Sequence, residues 1–326
     1  MKEEEIRPQY IFDEYLRLAK KDTQKYFSER SREEVVLCPA CNANGKLSFT
    51  KHNFNYVECH FCHTVFVSPR PSAEAFSLYY QESESAIFWA STFYKETAAA
   101  RREKLWHPKA LMICDIIKRF GTDEYSLVDI GGGYGIFAEE YEKISGQRVT
   151  VIEPGPALAL VCRDKGLKVV QGFLEEINPE QLERGAKTFV SFELFEHLHD
   201  PENFLFHLIA LMSPADLFIF TTLSGAGLDI QVLWADSKSV SPPHHLNFLN
   251  PKSMRMLLER VGFNVLQICT PGKLDIDILC NNKEFIKDRF WMTFISQATE
   301  NEKQMMQTFI ADNGLSSHML VVCQKS

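Results

Sequence analysis

Four cysteines near the N-terminus have the spacing of a metal site. Two residues separate Cys38 from Cys41 and Cys59 from Cys62, and 17 residues lie between the two pairs. This is a zinc-binding spacing, because each pair can turn back so that both thiolates reach one tetrahedral ion. Four sulfur ligands leave no coordination position open, so we expect a structural ion. No strand–helix–strand pattern surrounds either pair, which argues against a thioredoxin-like redox role.

A glycine-rich stretch, VDIGGGYGIFAEEY, joins a short apolar strand pattern to a helical pattern between Val128 and Tyr141. Such a turn lets the backbone approach a ligand closely, and two kinds of ligand use it. One interpretation is a dinucleotide fingerprint, in which Gly133, Gly135 and Ala138 satisfy G-x-G-x-x-G/A and a later acid takes the ribose. This match alone has low specificity.

The second interpretation of the turn includes the acid that precedes the glycines. Asp129, Gly131, Gly133 and Gly135 form the pattern D-x-G-x-G-x-G. A carboxylate at this position would repel a pyrophosphate, whereas it would attract an ammonium group. The turn therefore favours a positively charged ligand without a phosphate.

Acids and histidines gather after a later strand pattern and in a later loop. SFELFEHLHDPENF places Glu193, Glu196 and His197 after the strand predicted at TFVSFEL, and α/β sheets bind ligands at the carboxyl ends of their strands. His244 and His245 follow two prolines that stiffen their loop. Histidine is the natural general base near neutral pH. We expect His245, or else His197 or His244, to remove a proton from an acceptor. Glu196 would orient the base.

Structural roles remain open for each of these histidines. His197 could cap a helix or steady its loop, and His244 and His245 could hydrogen bond to loop carbonyls. We expect the neighbouring His199 and Asp200 only to begin the helix that follows, since a proline stands directly after them.

Strand and helix patterns alternate from residue 126 onward, which predicts a doubly wound, Rossmann-like α/β fold with helices on both faces of a parallel sheet. Helical patterns are also expected over residues 9–33, 72–119 and near 175–184. The strands are predicted at SLVDI, RVTVIE, KVVQG, TFVSFEL, DLFIFTTL, FNVLQICT and SHMLVVCQ. The expected segments are an N-terminal helix (1–35), a zinc ribbon (36–70), a helical lid (71–120) and an α/β domain (121–326) with an insertion near 271–313.

Composition and charge narrow the class of partner. The formal net charge is −8, and residues 1–107 contain 15 basic and 15 acidic side chains. Since a protein that grips phosphates of nucleic acid usually needs a basic face, we expect a small-molecule partner rather than a nucleic acid. No apolar run approaches the roughly 20 residues that span a bilayer, and MKEEEIRPQY lacks the apolar core of a signal peptide. We therefore expect a cytoplasmic protein.

The pattern from Asp129 to Gly135 resembles the first motif of the class I S-adenosylmethionine-dependent methyltransferases. This resemblance implies their fold, a parallel sheet with a final antiparallel strand, and a site for S-adenosylmethionine at the glycine turn. It also implies contacts between that cofactor and four later residues, which are Glu153 at the ribose, Phe173 and Leu174 at the adenine, and Glu193.

Two further stretches bear on the acceptor. SFELFEHLHDPENF resembles the E-x-x-E-H-x-x-D-P signature of the small-molecule branch and lacks the Asn-Pro-Pro-Tyr type of tetrapeptide used to methylate amino groups on bases. The pattern P-P-x-H-L-N-F around His245 resembles methyltransferases of polysaccharide and deoxysugar gene clusters. Similar zinc ribbons precede the methyltransferase domain of sugar C-methyltransferases, whose extra C-terminal domain we do not expect in this chain. The resemblance thus implies a sugar or sugar nucleotide as acceptor, with O- and C-methylation both open, and a structural Zn²⁺.

Two rival functions stay open. Some ribosomal-RNA methyltransferases also carry such a ribbon, so the ribbon could grip RNA, although the neutral N-terminal charge argues against this. A non-catalytic protein could also retain the fold as a cofactor-binding module. The acids at several strand ends argue against that second rival.

Overall fold

The computed structural model describes residues 2–27 and 33–326. Its N-terminal part combines one long helix with short strands. A 3-10 turn at Glu3–Glu5 and helix α1 (Gln9–Tyr26) precede the strands β1 (Glu33–Glu34), β2 (Gly45–Lys51), β3 (Phe54–Cys59), β4 (Val65–Val67) and β5 (Arg70–Pro71). The predicted helical pattern of residues 9–33 is thus too long at its end, where 28–32 lie outside the described residues and Glu33 is in a strand.

A nearly continuous run of helices follows, as its aromatic-rich pattern predicts. The Ser72 side chain accepts a hydrogen bond from the amide of Ala75 and so caps the first of them. The run comprises α2 (Ala73–Glu82), α3 (Glu84–Phe88), a π-helical turn (Trp89–Phe93), α4 (Tyr94–Arg101), a second π-helical turn (Arg102–Trp106) and α5 (His107–Phe120). We call residues 73–120 the helical cover.

Strands and helices then alternate to the end of the chain. The strands are β6 (Ser126–Ile130), β7 (Val149–Glu153), β8 (Lys168–Gln171), β9 (Lys187–Phe192), β10 (Leu217–Leu223), β11 (Asn247–Phe248), β12 (Phe263–Cys269) and β13 (His318–Lys325). The helices are α6 (Ile136–Ser145), α7 (Pro156–Asp164), α8 (Pro201–Leu211), α9 (Leu228–Leu233), α10 (Pro251–Val261), α11 (Asp275–Asn281), α12 (Arg289–Gln297) and α13 (Glu300–Asp312). Short 3-10 turns lie at Leu174–Glu176, Pro179–Gln181, Phe195–His197, Trp234–Asp236 and Lys283–Phe285.

The main sheet has seven strands in the order β12-β13-β10-β9-β6-β7-β8. Strands β6 to β10 pair in parallel, and β13 runs antiparallel to both of its neighbours. The α/β fold with one antiparallel strand is therefore confirmed. Both faces are buried, since Leu127 packs in one core cluster and its neighbour Val128 in the other. This is why the strands read as continuous apolar runs.

A second sheet joins the cysteine-rich segment to the α/β part. Its order is β11-β4-β3-β2, so the two-residue strand β11, contributed from a distant loop, forms the edge. Asn247 pairs with Phe66 and Phe248 with Val65. The loop that carries His244 and His245 is therefore held by backbone pairing to the segment that carries the cysteines.

The helix expected near 175–184 is absent, and this prediction was wrong. The segment instead forms the two 3-10 turns at Leu174–Glu176 and Pro179–Gln181. Pro179 has no amide hydrogen and would clash with the carbonyl of Glu175 in a continuous helix. Among the described residues, no helix is both long and apolar enough to cross a membrane.

Candidate active site and cysteine cluster

The glycine turn after β6 is formed by backbone that other residues would strain. Gly131, Gly133 and Gly135 have φ angles of 71°, 56° and 71°. Gly132 is required for a different reason, because a Cβ atom there would lie 2.6 Å from Val151 Cγ1 and clash with it. Both restrictions leave bare backbone at the carboxyl end of the sheet, where a ligand can approach it.

Asp129 lies just before this turn and keeps one carboxyl oxygen without a hydrogen bond in the part of the chain that the structure describes. The side chain is 2% exposed, and its Oδ2 atom has no hydrogen-bond partner among the described residues. Burial, and then the nearby charge of Glu153, raises the pKa of Asp129 to about 7. A buried oxygen of this kind favours a ligand that brings a positive charge or a donor. The turn thus fits an ammonium-bearing ligand.

Glu153 ends β7 beside the turn and is fixed by two amides. Its Oε2 accepts from the N–H of Gly133 at 2.9 Å and its Oε1 from the N–H of Gly155 at 2.8 Å. Burial raises the pKa of this carboxyl, and the two amides oppose that rise. At the end of β8, Phe173 is half exposed whereas Leu174 is buried. All three lie at the same sheet edge as Asp129.

Glu193 follows β9 in a strained conformation, with φ of 52°. Its Oε1 accepts from Thr221 Oγ1 at 2.7 Å and lies 3.5 Å from Lys109 Nζ and 3.4 Å from His318 Nδ1. Burial opposes ionisation, but His318 and Lys109 together hold the pKa of Glu193 at about 2. Sequence reasoning missed Lys109 and His318, because neither stands in a recognisable motif.

A second cluster of side chains consists of Glu196, His197 and His245. One possible ligand atom from each lies within 4.8 Å of the others, and the two imidazole ring centres are 4.7 Å apart. Thr222 Oγ1 donates to Glu196 Oε2 at 2.7 Å. Burial, and then the charge of Glu193, raises the pKa of Glu196 to about 8. The structure therefore brings together three of the four side chains predicted for acceptor chemistry.

His245 presents one free ring nitrogen. Its Nδ1 lies 2.5 Å from the carbonyl oxygen of Ser239. Because a carbonyl only accepts, Nδ1 carries the proton and Nε2 is left as the basic atom. Burial lowers the pKa of His245 to about 4, so the ring is neutral near pH 7.

His244 lies beside the cluster of Glu196, His197 and His245 but makes different contacts. Its Nε2 is 2.6 Å from the hydroxyl of Tyr79, and the side chain is 6% exposed. The rings of Tyr15 and Tyr80 pack against it. Burial, and then the charge of His245, lowers the pKa of His244 to about 3. These contacts fit a role for His244 in lining the site better than a role as general base.

The helical cover closes over the glycine turn. Tyr94 stacks on Tyr134 with ring centres 5.8 Å apart, and its hydroxyl lies 3.2 Å from where a Cβ of Gly133 would be. Tyr94 and Trp106 also line a small cavity together with Asp129 and the glycines. The cover thus forms one wall of this small cavity at the glycine turn.

The four cysteines form a compact cluster. The Sγ atoms of Cys38 and Cys62, and those of Cys41 and Cys59, are 3.4 Å apart. In each pair the residue after the second cysteine, Asn42 or His63, has a positive φ, which turns the backbone back toward the sulfurs. Such an arrangement fits one tetrahedral, thiolate-bound ion and a zinc ribbon.

The ribbon also fixes the histidine loop through side chains. The hydroxyl of Tyr56, on β3, donates to the carbonyl of His245 at 2.8 Å. Asn250 Nδ2, just after β11, donates to the carbonyl of Cys62 at 2.8 Å. These bonds add to the backbone pairing of β11 with β4. A metal at the cysteines would therefore stabilise the position of His245, some 200 residues away in sequence.

Comparison with known proteins gives a family and a fold. A family model described as a methyltransferase domain matches residues 103–268, just over half of the chain. No curated protein matches the sequence. The structure resembles the plantazolicin methyltransferase BamL, solved with a desmethyl substrate analogue and S-adenosylhomocysteine, at 13% identity over 76% of this chain and 93% of that one, with a TM-score of 0.50.

Two other solved structures are similar at lower scores. Geranyl diphosphate C-methyltransferase from Streptomyces coelicolor has 12% identity over 72% of this chain and 85% of that one, with a TM-score of 0.47. A Haloferax volcanii complex of the Trm112 activator with a methyltransferase has 15% identity over 71% and 95%, with a TM-score of 0.48. At such identities, these likenesses concern the fold alone.

The cysteine cluster generates a prediction about metal content and stability. We expect about one zinc per chain in the purified protein, and Cys41→Ala should lose the metal and melt at a lower temperature, because metal binding contributes to folding. Amide hydrogen exchange at Asn247 and Phe248 should accelerate in the same variant. Elemental analysis, thermal unfolding and exchange measurements check these outcomes.

Cys280→Ser is the matched control, since Cys280 is a half-buried thiol on α11 outside the cluster. This variant should retain the metal. A wild-type protein without zinc, or a Cys41→Ala protein with full zinc content, would contradict the assignment.

Proposed function

Since this chain belongs to the methyltransferase-domain family, we propose that it transfers a methyl group to a small-molecule acceptor, namely a sugar or a sugar nucleotide. That family membership makes it a methyltransferase, and the methyl donor we propose is S-adenosylmethionine. The observation that carries the proposal is the unpartnered Asp129 oxygen at the glycine turn, near a cluster of Glu196, His197 and His245 at the same sheet edge.

The cofactor supplies a methyl group already activated by a positively charged sulfur. Asp129 would hold its ammonium group, and Glu153 its ribose hydroxyls. Glu153 already accepts one amide at each oxygen, and each oxygen keeps a second lone pair for a hydroxyl. Phe173, Leu174 and Glu193 would complete the site. The glycines Gly131, Gly133 and Gly135 give the backbone access that this placement requires.

The chain's own part in the reaction is to align the acceptor and take its proton. Methyl transfer needs the acceptor atom in line with the leaving sulfur, so positioning supplies much of the rate. His245 Nε2 is the proposed proton acceptor, because its Nδ1–H is held by Ser239 and the ring is neutral. His197 and Glu196 would orient it, and His244 with Tyr79 would form the adjoining wall. The same arrangement serves O- and C-methylation.

We also propose a role for each segment of the chain. The segment 36–70 would bind structural Zn²⁺ through Cys38, Cys41, Cys59 and Cys62 and hold the histidine loop. Residues 1–35 and 71–120 would cover the site. Residues 121–326 would form the transferase domain, with the insertion near 271–313 packed against its strand ends.

The acceptor is tested by incubating the full-length protein with S-adenosylmethionine and a panel of sugars and nucleotide sugars. A mass increase of one methyl group on a sugar or a nucleotide sugar would support the proposal. His245→Ala should lower kcat by about 10²–10⁴-fold, the usual contribution of a positioned base, while cofactor affinity stays within about twofold of wild type.

His207→Ala is the control, because His207 lies on α8 and, among the described residues, hydrogen bonds to its own helix backbone at Asn203. It should keep wild-type activity. Full activity in His245→Ala would remove that residue from the mechanism, and methylation of RNA but of no sugar would overturn the acceptor class.

A pH dependence follows from Asp129. A bound ammonium group favours the ionised form of the Asp129 carboxyl. In the free protein this carboxyl has a pKa of about 7, so below neutral pH it is mostly protonated and must lose its proton when the cofactor binds. Affinity for S-adenosylmethionine should therefore rise about tenfold per pH unit from pH 5 to pH 7. Asp129→Asn should bind more weakly at pH 7 and show a flat profile. Calorimetric titrations at several pH values measure both, and a flat wild-type profile would contradict the assigned role.

A further inference from the structure

Two arginines above the site have guanidinium groups that the protein leaves incompletely bonded. Arg101, on α4, is 9% exposed, and its Nε has no partner among the described residues. The Nε of Arg7 also lacks a hydrogen-bond partner among the described residues, although the side chain is 29% exposed and its Nη1 lies 3.5 Å from Glu3 Oε1. For Arg101, a buried charge without a paired carboxylate is costly. An unsatisfied buried polar group calls for an explanation, and a bound ion is one of them.

Both guanidiniums rest on one aromatic cluster. Arg7 lies 4.6 Å from the ring centre of Phe12, and Arg101 lies 5.6 Å from that of Phe93. Phe12 and Phe93 pack together between α1 and the helical cover. Arg101 also lies 5.9 Å from the ring centre of Trp106. These ring contacts stabilise the cations without using their N–H donors, which leaves the donors available to a ligand.

The two arginines lie outside the cavity at the glycine turn. The cavity at the glycine turn is lined by Tyr94, Trp106 and Asp129, among others, and by neither arginine. Tyr15 belongs to the same aromatic cluster as Phe12 and Phe93. Its ring centre lies 6.0 Å from that of Phe12 and 5.5 Å from that of His244. The cluster that carries both arginines therefore adjoins the loop of the histidine proposed to take the acceptor's proton.

We propose that Arg7 and Arg101 form an anion-binding site for a phosphate group on the acceptor. This inference rests on the proposed function and narrows it to phosphorylated acceptors. Guanidinium forks match phosphate oxygens with paired hydrogen bonds. Two such groups on one aromatic cluster suit a doubly charged phosphate better than a single carboxylate, since like charges repel. Glu193 forms its ion pairs with Lys109 and His318. Burial lowers the pKa of Arg101, whereas the charge of Glu193 favours the charged form of that side chain.

The test is a calorimetric titration of the full-length, metal-loaded protein with inorganic pyrophosphate. Arg101→Met and Arg7→Met should each weaken pyrophosphate binding at least about tenfold, the loss of a charge-assisted pair, while the affinity for S-adenosylmethionine changes less than about twofold. Arg255→Met is the control, because Arg255 is an exposed residue of α10 that pairs only with Glu259. It should leave both affinities unchanged.

Thermal unfolding separates binding from packing. Without pyrophosphate, Arg101→Met should melt at a higher temperature than wild type, because methionine removes an unpaired buried charge. A lower melting temperature would indicate a structural arginine and overturn the proposal.

Two other results would also overturn it. One is pyrophosphate binding that is absent in wild type or unchanged in Arg101→Met. The other is a tenfold loss of S-adenosylmethionine affinity with pyrophosphate binding intact, which would assign the guanidinium to the cofactor's carboxylate. Failure of the wild type to bind S-adenosylmethionine would instead contradict the proposed function and leave the anion titration interpretable.

Discussion

Parallel pairing of the central strands is the constraint on which the site depends. Because β6, β7, β9 and β10 run in one direction, their carboxyl ends fall on a single edge of the sheet. Asp129, Glu153, Glu193 and Thr222 therefore lie near one another although their strands are far apart in sequence. Each strand is buried on both faces, so a shift in register would cost core packing. The rigidity of the sheet is what allows a polar site to be assembled at its edge.

Segments outside this sheet complete the site. The cysteine-rich ribbon extends its own sheet with β11 and thereby anchors the loop of His244 and His245. The helical cover brings Tyr79 to His244 and Lys109 to Glu193. Burial shifts the pKa values of Glu196, His244 and His245, whereas neighbouring charges lower the pKa of Glu193 against burial; such shifts are common at functional sites. The ribbon thus has a physical link to the chemistry besides its own stability.

The sequence alone predicted those parts of the fold and the site that depend on a local pattern of residues. Strand positions followed from apolar runs, and Asp129 and the glycines from their spacing. Lys109 and His318 could not be predicted, because each reaches Glu193 from a distant element and belongs to no motif. The pairing of β11 with β4 was equally hidden, since a two-residue strand has no periodicity to read. The helix predicted near 175–184 was an avoidable error, because Pro179 in the middle of that segment disfavours a continuous helix.

The central claim is that a buried carboxylate at a bare-backbone turn selects a positively charged amino-acid nucleoside over a dinucleotide. Titrating the full-length protein with S-adenosylhomocysteine, which keeps the ammonium group, and separately with NAD tests this most directly. We predict saturable binding of S-adenosylhomocysteine at one site per chain and no measurable heat with NAD. Tight binding of NAD, competing with or replacing S-adenosylhomocysteine, would contradict the account.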